Sequence, residues 1–299
     1  MIHIRPCEGL DELEACVQLQ VETWGYDENE TIPRKTFLLA QKIGGQVIGA
    51  FETGNREKGV GGREQGTGTG ENSGDRPVEL EDGKVAASKP ETLVGFAMSL
   101  PGIKTESGQA CPYLHSHMLA VRESHRNRGL GVQLKRKQRD EALSRGIRHI
   151  EWTFDPLEIK NAFLNIHRLG AIARAYRPDF YGVSSSRLQS GLPTDRLLAE
   201  WELESSRVDG ALNGRPAEIE CIEERIQVPA SIYQWKASQT DRDRALAVQL
   251  KNRLKFQKAF FQGLVVLGFS LDAEGNGVFE LGPLTQLERV FQTKERENL

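Results

Sequence analysis

The stretch that decides the fold is residues 114–146, which consists of LHSHMLAV (114–121), RESHRNRGLG (122–131) and VQLKRKQRDEALSRG (132–146). The pattern predicts a strand that ends at Val121, a basic glycine turn, and a helix that ends at Gly146. A helix start leaves backbone N–H groups without partners, and its dipole favours negative charge there. This order of elements therefore indicates a binding site for a phosphate group.

The turn carries the pattern Arg126-x-x-Gly129-x-Gly131. Its glycines let the backbone approach phosphate oxygens, and its arginines supply positive charge. A Walker A loop needs a Gly-Lys-Ser/Thr ending, which is not found after Gly131. A Rossmann fingerprint needs three glycines near the chain start and an acidic residue after the next strand. The turn is therefore expected to belong to another kind of phosphate-binding loop.

This turn resembles the coenzyme A loop of the GNAT superfamily of N-acetyltransferases. Residues 119–121 (LAV) match the family's apolar pattern before the arginine, and residues 161–170 (NAFLNIHRLG) resemble the helix after the next strand. Residues 173–203 are similar to a subgroup of acyltransferases with a long C-terminal extension. Some members of that subgroup are linked to N-succinyl amino acid metabolism. The resemblance implies that acetyl-CoA or another acyl-CoA is the cofactor.

Apolar spacing elsewhere predicts an α/β domain over residues 1–204, built as an α+β mixed sheet. The resemblance implies a GNAT-like central mixed sheet flanked by helices. Residues 205–299 are predicted to form a C-terminal extension of one helix (240–262) and one β-hairpin (264–281). The helix is expected to be capped by Thr240 and to bury Ala247, Leu250, Leu254 and Phe261. The pattern leaves open whether the extension is a second lobe or continues the same sheet.

Residues 53–91 form a compositional break between two predicted strands, because they contain glycine and charge but almost no large apolar residue. Such a segment cannot bury enough surface to offset its ordering entropy. We therefore expect a disordered insertion at a hairpin tip. The polar tail after Leu284 is expected to fray.

Composition excludes several classes of protein. The chain has 299 residues and a net charge of −3, which argues against a dedicated nucleic-acid binder. The charged N-terminus and the absence of a long apolar run predict neither export nor a membrane span. The cysteines have no paired spacing, which fits structural thiols in a reduced cytoplasm; they are Cys7, Cys16, Cys111 and Cys221. A cytoplasmic protein without a nucleic-acid or membrane partner is therefore expected.

The basic residues of the loop and helix receive two different interpretations. Arg126 and Arg128 stand beside the glycines and are expected to contact phosphate. The run from Lys135 to Arg139 is expected to form a solvated helix face.

The resemblance assigns the cofactor site to three parts of the chain. Main-chain groups of Leu119 and Val121 would bind pantetheine and the acyl oxygen, where two parallel strands splay apart. The pyrophosphate would lie on the loop, and Asn161 of the following helix completes the set. The loop residues are Arg126, Asn127, Arg128, Gly129, Leu130 and Gly131.

A proton acceptor is needed because the attacking amine must be neutral. Strand alternation predicts that His115, His117 and Leu119 share one face, with His117 nearest the splay. Histidine titrates near neutral pH, although a strand histidine can equally be a packed residue. Glu151 and Asp155 are carboxylate alternatives. No cysteine or HExxH partner supports a metal site on these histidines, so no metal is expected.

The proton donor for the leaving thiolate is less well defined. Many GNAT enzymes have a tyrosine four residues before the helix-ending glycine, and Ile166 stands at that position here. Tyr176 and Tyr181 are nearby candidates, although both can equally pack a loop. Cys111 lacks a base at a defined spacing, so direct attack by the amine is favoured over a cysteine nucleophile.

The acceptor pocket is expected to include Trp24 and Tyr181. Arg196 is suited to bind a substrate carboxylate with two parallel hydrogen bonds. The alternative for Arg196 is a surface pair with Asp195 or Glu200.

These features predict an acyl-CoA-dependent N-acyltransferase that moves an acetyl or succinyl group to the amine of a small molecule, with an amino acid as one candidate. The alternative is a catalytically weak acyl-CoA-binding or regulatory protein, which the missing tyrosine favours. A third hypothesis is a nucleotide-binding protein of another kind. The sequence leaves a homodimer open.

Overall fold

The computed structural model describes residues 1–53, 91–106 and 108–285. The predicted insertion, apart from its two end residues, and nearly all of the predicted fraying tail lie outside these ranges. The helices and strands in chain order are β1 (Ile2–Pro6), α1 (Gly9–Trp24), α2 (Arg34–Lys42), β2 (Gln46–Thr53), β3 (Glu91–Glu106), β4 (Gln109–Val121), α3 (Leu130–Ser144), β5 (His149–Phe154), α4 (Ile159–Ala162), β6 (Ile172–Arg177), β7 (Arg196–Glu202), α5 (Ser206–Leu212), β8 (Glu224–Val228), α6 (Ile232–Ala237), α7 (Arg242–Phe261), β9 (Leu264–Leu271) and β10 (Gly277–Pro283).

The described strands form one ten-stranded sheet in the order β1-β2-β3-β4-β5-β7-β6-β9-β10-β8. Strands β4 and β5 are parallel, and the other neighbouring pairs are antiparallel. The predicted mixed sheet flanked by helices is therefore confirmed. The C-terminal hairpin β9–β10 joins this sheet through β6, where Ala173 pairs with Val266.

Helices cover both faces of the sheet. Buried residues of α1 and α2, such as Leu13 and Phe37, pack with Phe96 of β3 on one face. Leu130 and Leu134 of α3 belong to a separate cluster on the opposite face. This arrangement places the N-terminus of α3 beside the end of β4.

The largest core joins residues from both sides of position 204. Trp201 of β7, Phe256 of α7 and Phe279 of β10 are all fully buried in one cluster. Phe256 contacts Phe279 edge to face, with ring centroids 5.2 Å apart. Burial of aromatic side chains is a large contribution to stability, and here it links the C-terminal segment to the rest of the fold.

The apolar stripe predicted for α7 was wrong, because its members lie on the exposed side. Leu254 is 68% exposed and Phe261 is 94% exposed. The inner side instead carries Gln249 and Asn252, which donate to the carbonyl oxygens of Pro193 and Gln227. Polar residues can occupy buried positions when their hydrogen bonds are satisfied. The helix begins after Asp241, so Thr240 is not its N-cap.

Several short elements were not predicted from the sequence. They are β6, α5, β8 and α6. The helix that the resemblance implies around residues 161–170 is a single α-turn, α4, continued by a π-helical turn (Phe163–Arg168). In that turn the N–H of Leu169 donates to Leu164, five residues earlier.

Candidate active site

Strand β4 contains a bulge at His117. Ser116 pairs with Ser99 and Met118 pairs with Met98, so His117 is the extra residue of β4. A bulge reverses the alternation of side chains along a strand. The prediction that His115, His117 and Leu119 share one face was therefore wrong for Leu119, which packs with the α3 cluster.

Strands β4 and β5 splay apart next to this bulge. Their described pairing is limited to Leu114 with Ile150 and His115 with Glu151. Both strands continue beyond these pairs, to Val121 and Phe154 respectively. The predicted splay is thus present, and it opens a gap between the C-terminal halves of the two strands.

A cavity of about 430 Å³ passes through this gap. On one side it is lined by Trp24, Tyr26 and Ile32, and on the other by Lys135 and Asn161. The cavity brings together seven of the predicted site residues, which are Trp24, His117, Leu119, Asp155, Asn161, Tyr181 and Arg196.

The loop between β4 and α3 has the geometry of an anion cradle. Gly129 has φ 77° and caps α3, and Asn127 has φ 61°. A Cβ atom added to Gly129 would meet nothing within 4 Å, so the space above it is open. Its positive φ is a conformation that glycine adopts without the cost other residues incur.

Arg126 shapes this loop from within. Its backbone N–H donates to Glu123 at 3.2 Å, and its Nε donates to the carbonyl oxygen of Val121 at 3.0 Å. In the described part of the chain, no acceptor takes the N–H groups from Asn127 to Gly131. These N–H groups, rather than that of Arg126, are therefore available to a bound anion.

His117 is the titratable group at the bulge. Its ring lies 6.2 Å from that of His115 and remains open to the cavity. Surrounding protein atoms lower the pKa of His117, and His115 lowers it further. The imidazole is therefore neutral at neutral pH and able to accept a proton.

Asp155 is held by two partners at the end of β5. One carboxylate oxygen accepts the N–H of Leu157 at 2.8 Å, and the other lies 3.3 Å from Nζ of Lys236. Lys236 also pairs with Glu158 at 2.6 Å. Burial opposes the charge of Lys236, but these two carboxylates raise its pKa. Asp155 is thus engaged in a buried ion pair with the C-terminal segment.

Glu151 lies outside the cavity, so the structure does not place it as a base. It pairs with Lys104 and His115 and lies 3.9 Å from His149. Burial would raise the pKa of Glu151, but hydrogen bonds from His115, His149 and Lys104 hold it far below its usual range. Such a carboxylate has little tendency to take a proton.

The two candidate tyrosines have different surroundings. Tyr176 is buried and donates to Asp195 at 2.5 Å, outside the cavity wall. Tyr181 lines the cavity, and its hydroxyl lies 2.8 Å from that of Thr153. The side chain of Ile166 is 1% exposed and packs in the main core, so this position supplies no proton donor.

Arg196 lies at the cavity with its guanidinium 5.4 Å from the ring centroid of Tyr181. It donates to the side-chain oxygen of Gln189 at 3.2 Å and to the carbonyl of Asp195 at 2.8 Å. The carboxylates of Asp195 and Glu200 pair with Arg253 and Arg174 instead. The alternative surface pair predicted for Arg196 was therefore wrong.

Lys135 is a cavity residue that sequence reasoning missed. The run from Lys135 to Arg139 was predicted to be solvated, but Lys135 is only 2% exposed and Gln138 is fully buried. Nζ of Lys135 donates to the hydroxyl of Ser116 at 2.7 Å. The available signal was helical spacing, because Leu134, Gln138 and Ala142 share the buried face of α3.

Residues 1–53, 91–106 and 108–285 contain no group of three His, Cys, Asp or Glu side chains able to hold a metal ion. Among the helices in these ranges, none has the length and apolar character needed to cross a membrane.

The loop, the splayed strand pair and the cavity beside them make up the candidate site of this mixed α/β sheet. Residues 71–164 match the model of the Acetyltransferase (GNAT) family. Over these residues the chain is similar to that family. No curated protein matches the chain.

Solved structures of acetyltransferases are similar to this chain at low identity. A putative GNAT-family acetyltransferase from Desulfovibrio desulfuricans is 13% identical, with 68% of this chain and 99% of that chain covered and a TM-score of 0.43. The ribosomal-protein-S18-alanine N-acetyltransferase from Escherichia coli is 13% identical, with 75% and 100% covered and a TM-score of 0.42. A putative acetyltransferase from Salmonella typhimurium with acetyl-CoA is 16% identical, with 74% and 99% covered and a TM-score of 0.43.

Proposed function

We propose that this protein moves an acetyl or succinyl group from coenzyme A to the amine of a small molecule, with an amino acid as the acceptor class. The observation that carries the proposal is the cavity through the strand gap, which Leu119, Asn161, His117 and Arg196 all line. Cofactor and acceptor would meet at the bulge of β4. Holding the two reactants in register is a large part of the rate enhancement in such reactions.

The cofactor would lie along β4 from its C-terminal end. Its pyrophosphate would accept hydrogen bonds from the N–H groups of residues 127–131, with Arg128 adding positive charge. Pantetheine would follow β4 past Val121 and Leu119 into the gap, where β4 lacks β5 as a partner. The thioester would then stand beside His117.

The reaction would proceed by direct attack. The amine nitrogen bonds to the thioester carbon, and its proton passes to the neutral imidazole of His117. Main-chain N–H groups in the gap stabilise the negative charge that develops on the carbonyl oxygen. The carbon–sulfur bond then breaks, and the electron pair leaves with the thiolate of coenzyme A.

The acceptor side of the cavity favours an amine that also carries a carboxylate. Arg196 is bound by an amide and a carbonyl rather than by an acidic side chain among the described residues. A planar guanidinium in this state is suited to a substrate carboxylate. Trp24 and Tyr181 supply aromatic walls.

The proposal is tested with the purified full-length protein, acetyl-CoA or succinyl-CoA, and a panel of amino acids and simple amines. Release of free thiol that depends on the amine is expected, with amino acids preferred over amines that lack a carboxylate. Coenzyme A binding without thiol release across the panel would support the binding-protein alternative, which Ile166 in place of a tyrosine favours. Affinity for ATP or NAD and none for coenzyme A would contradict both.

A further inference from the structure

Lys135 is a buried cation without a counter-ion. It is 2% exposed, and no carboxylate of residues 1–53, 91–106 or 108–285 forms an ion pair with it. Its described contacts are the Ser116 hydroxyl and the face of Trp152, whose ring centroid lies 3.8 Å from Nζ. Burying a charge without a partner is costly, so a protein that retains one has a reason other than stability.

The position of Lys135 relates it to the strand gap. It lies about 7.5 Å along α3 from Leu130, the first residue of that helix. Its amine reaches Ser116 of β4, next to the bulge, and Trp152 of β5, so it bridges the two splayed strands. Lys135 also lines the cavity. Lys135 lies on the face of the sheet that α3 covers, as does the proposed cofactor loop. His117 instead lies beside His115, outside the α3 cluster.

The other cavity groups are less suited to protonate a thiolate. Asp155 forms an ion pair with Lys236. The hydroxyl of Tyr181 is hydrogen-bonded to that of Thr153, and its ring lies near the guanidinium of Arg196. Ile166 occupies the position of the family's usual tyrosine and is buried in the core. Lys135 is the titratable side chain that reaches the gap from α3.

We propose that Lys135 is the proton donor for the departing thiolate of coenzyme A, an inference that rests on the proposed acyl transfer. When the carbon–sulfur bond of the tetrahedral intermediate breaks, the electron pair goes to sulfur, which takes a proton from the ammonium group of Lys135. The resulting neutral amine regains a proton from solvent through the cavity. The proton of the attacking amine goes separately to His117, so the two transfers occur on opposite sides of the reacting carbon.

The electrostatic surroundings of Lys135 fit this role. Burial lowers its pKa to about 7. The elements packed against its amine present Ser116 from β4, Trp152 from β5 and Trp201 from β7, none of which is charged. A proton donor works best when its pKa is close to the operating pH.

The test uses Lys135→Met, which keeps the side-chain length, and Lys135→Arg, which keeps a donor that does not deprotonate. We expect Lys135→Met to lower kcat with acetyl-CoA by about a hundredfold or more while the Kd for coenzyme A stays unchanged. The wild-type kcat should decline as the pH rises through about 7. This decline should be absent in Lys135→Met and should move to higher pH in Lys135→Arg.

A second readout separates this role from a structural one. Because Lys135→Met removes an uncompensated buried charge, its Tm should rise while its turnover falls. Lys137→Met on the same helix is the control and should change neither value. Wild-type kcat in Lys135→Met would overturn the inference, and so would a loss confined to succinyl-CoA, because that would indicate pairing with an acyl carboxylate. Failure of the proposed function looks different, since the wild-type protein would then transfer nothing.

Discussion

Arg253 of α7 donates Nε and Nη2 to the two carboxylate oxygens of Asp195, at 2.9 and 2.8 Å. Asp195 is completely buried and also accepts the hydroxyl of Tyr176 and the N–H of Asp179. Its neighbour Arg196 begins β7 and lines the cavity. This ion pair therefore ties the C-terminal segment to the wall on which we propose that the acceptor binds.

We predict that Arg253→Met lowers the free energy of unfolding by about 3 kcal/mol, because it leaves a buried carboxylate without its counter-ion. Urea unfolding measures the change. Lys255→Met is the matched control on the same helix, since Lys255 pairs with Glu224 on the surface. Lys255→Met should lower the free energy of unfolding by less than about 1 kcal/mol. Equal losses of unfolding free energy in the two variants would show that the Asp195–Arg253 ion pair stabilises the fold no more than a surface ion pair does.

Residues with local signals could be predicted from the sequence, and residues that depend on distant contacts could not. The loop at Gly129 follows from a strand, a glycine turn and a helix that are adjacent in sequence, whereas the splay after His115 was implied by the family resemblance. The burial of Lys135 depends on Ser116 and Trp152, which α3 meets only in the folded sheet. Helical spacing could have placed Lys135 on the buried face of α3, but the local sequence gave no indication of the contacts that its amine makes.

The wrong prediction of the buried side of α7 has a similar origin. Gln249 is buried because the carbonyl of Pro193 accepts its amide, a contact between residues 56 positions apart. Leu254 is exposed although it is apolar. A prediction from hydrophobic periodicity places every polar residue on the solvent-exposed side of a helix. It therefore assigns the wrong side to the core when buried polar residues form hydrogen bonds with residues distant in sequence.

The conformation of Gly129 predicts that its substitution weakens coenzyme A binding by more than it lowers stability. Gly129→Ala has open space for its Cβ but must adopt φ 77°, which costs about 1 kcal/mol. Because the Cβ would stand where the pyrophosphate approaches, the Kd for coenzyme A should rise more than this cost alone explains. Calorimetric titration and thermal unfolding measure the two effects.

Gly131→Ala is the control for this prediction. Its added Cβ would lie 3.5 Å from Leu164, an ordinary contact, and Gly131 has no positive φ. It should leave stability nearly unchanged. An unaltered coenzyme A affinity in Gly129→Ala would contradict the position assigned to the pyrophosphate.

Arg128→Ala should weaken coenzyme A binding in a way that depends on salt. The wild-type affinity should fall as ionic strength rises, because an exposed charge contact is screened by salt. In the variant the affinity should be lower at low salt and should vary less with ionic strength. Arg148→Ala, which removes an exposed arginine paired with Glu204, should behave like the wild-type protein. Parallel salt dependences for Arg128→Ala and the wild type would exclude contact with the phosphates.

His117 predicts the acidic limb of the pH profile. Its pKa lies below the usual 6.5, so the imidazole is neutral at pH 7 and becomes protonated only as the pH falls through that lowered pKa. The value of kcat/KM should therefore decline as the pH falls through this lowered pKa. His117→Gln should lose this decline and about a hundredfold in kcat. His3→Gln, on the edge strand β1, should keep the wild-type profile.

The most direct measurement is a crystal structure of the full-length protein with a bound acyl-CoA. It should show the pyrophosphate on the N–H groups of residues 127–131, pantetheine along β4, and the thioester in the gap beside His117. Cofactor bound in another crevice, or an empty gap under saturating cofactor, would contradict the account.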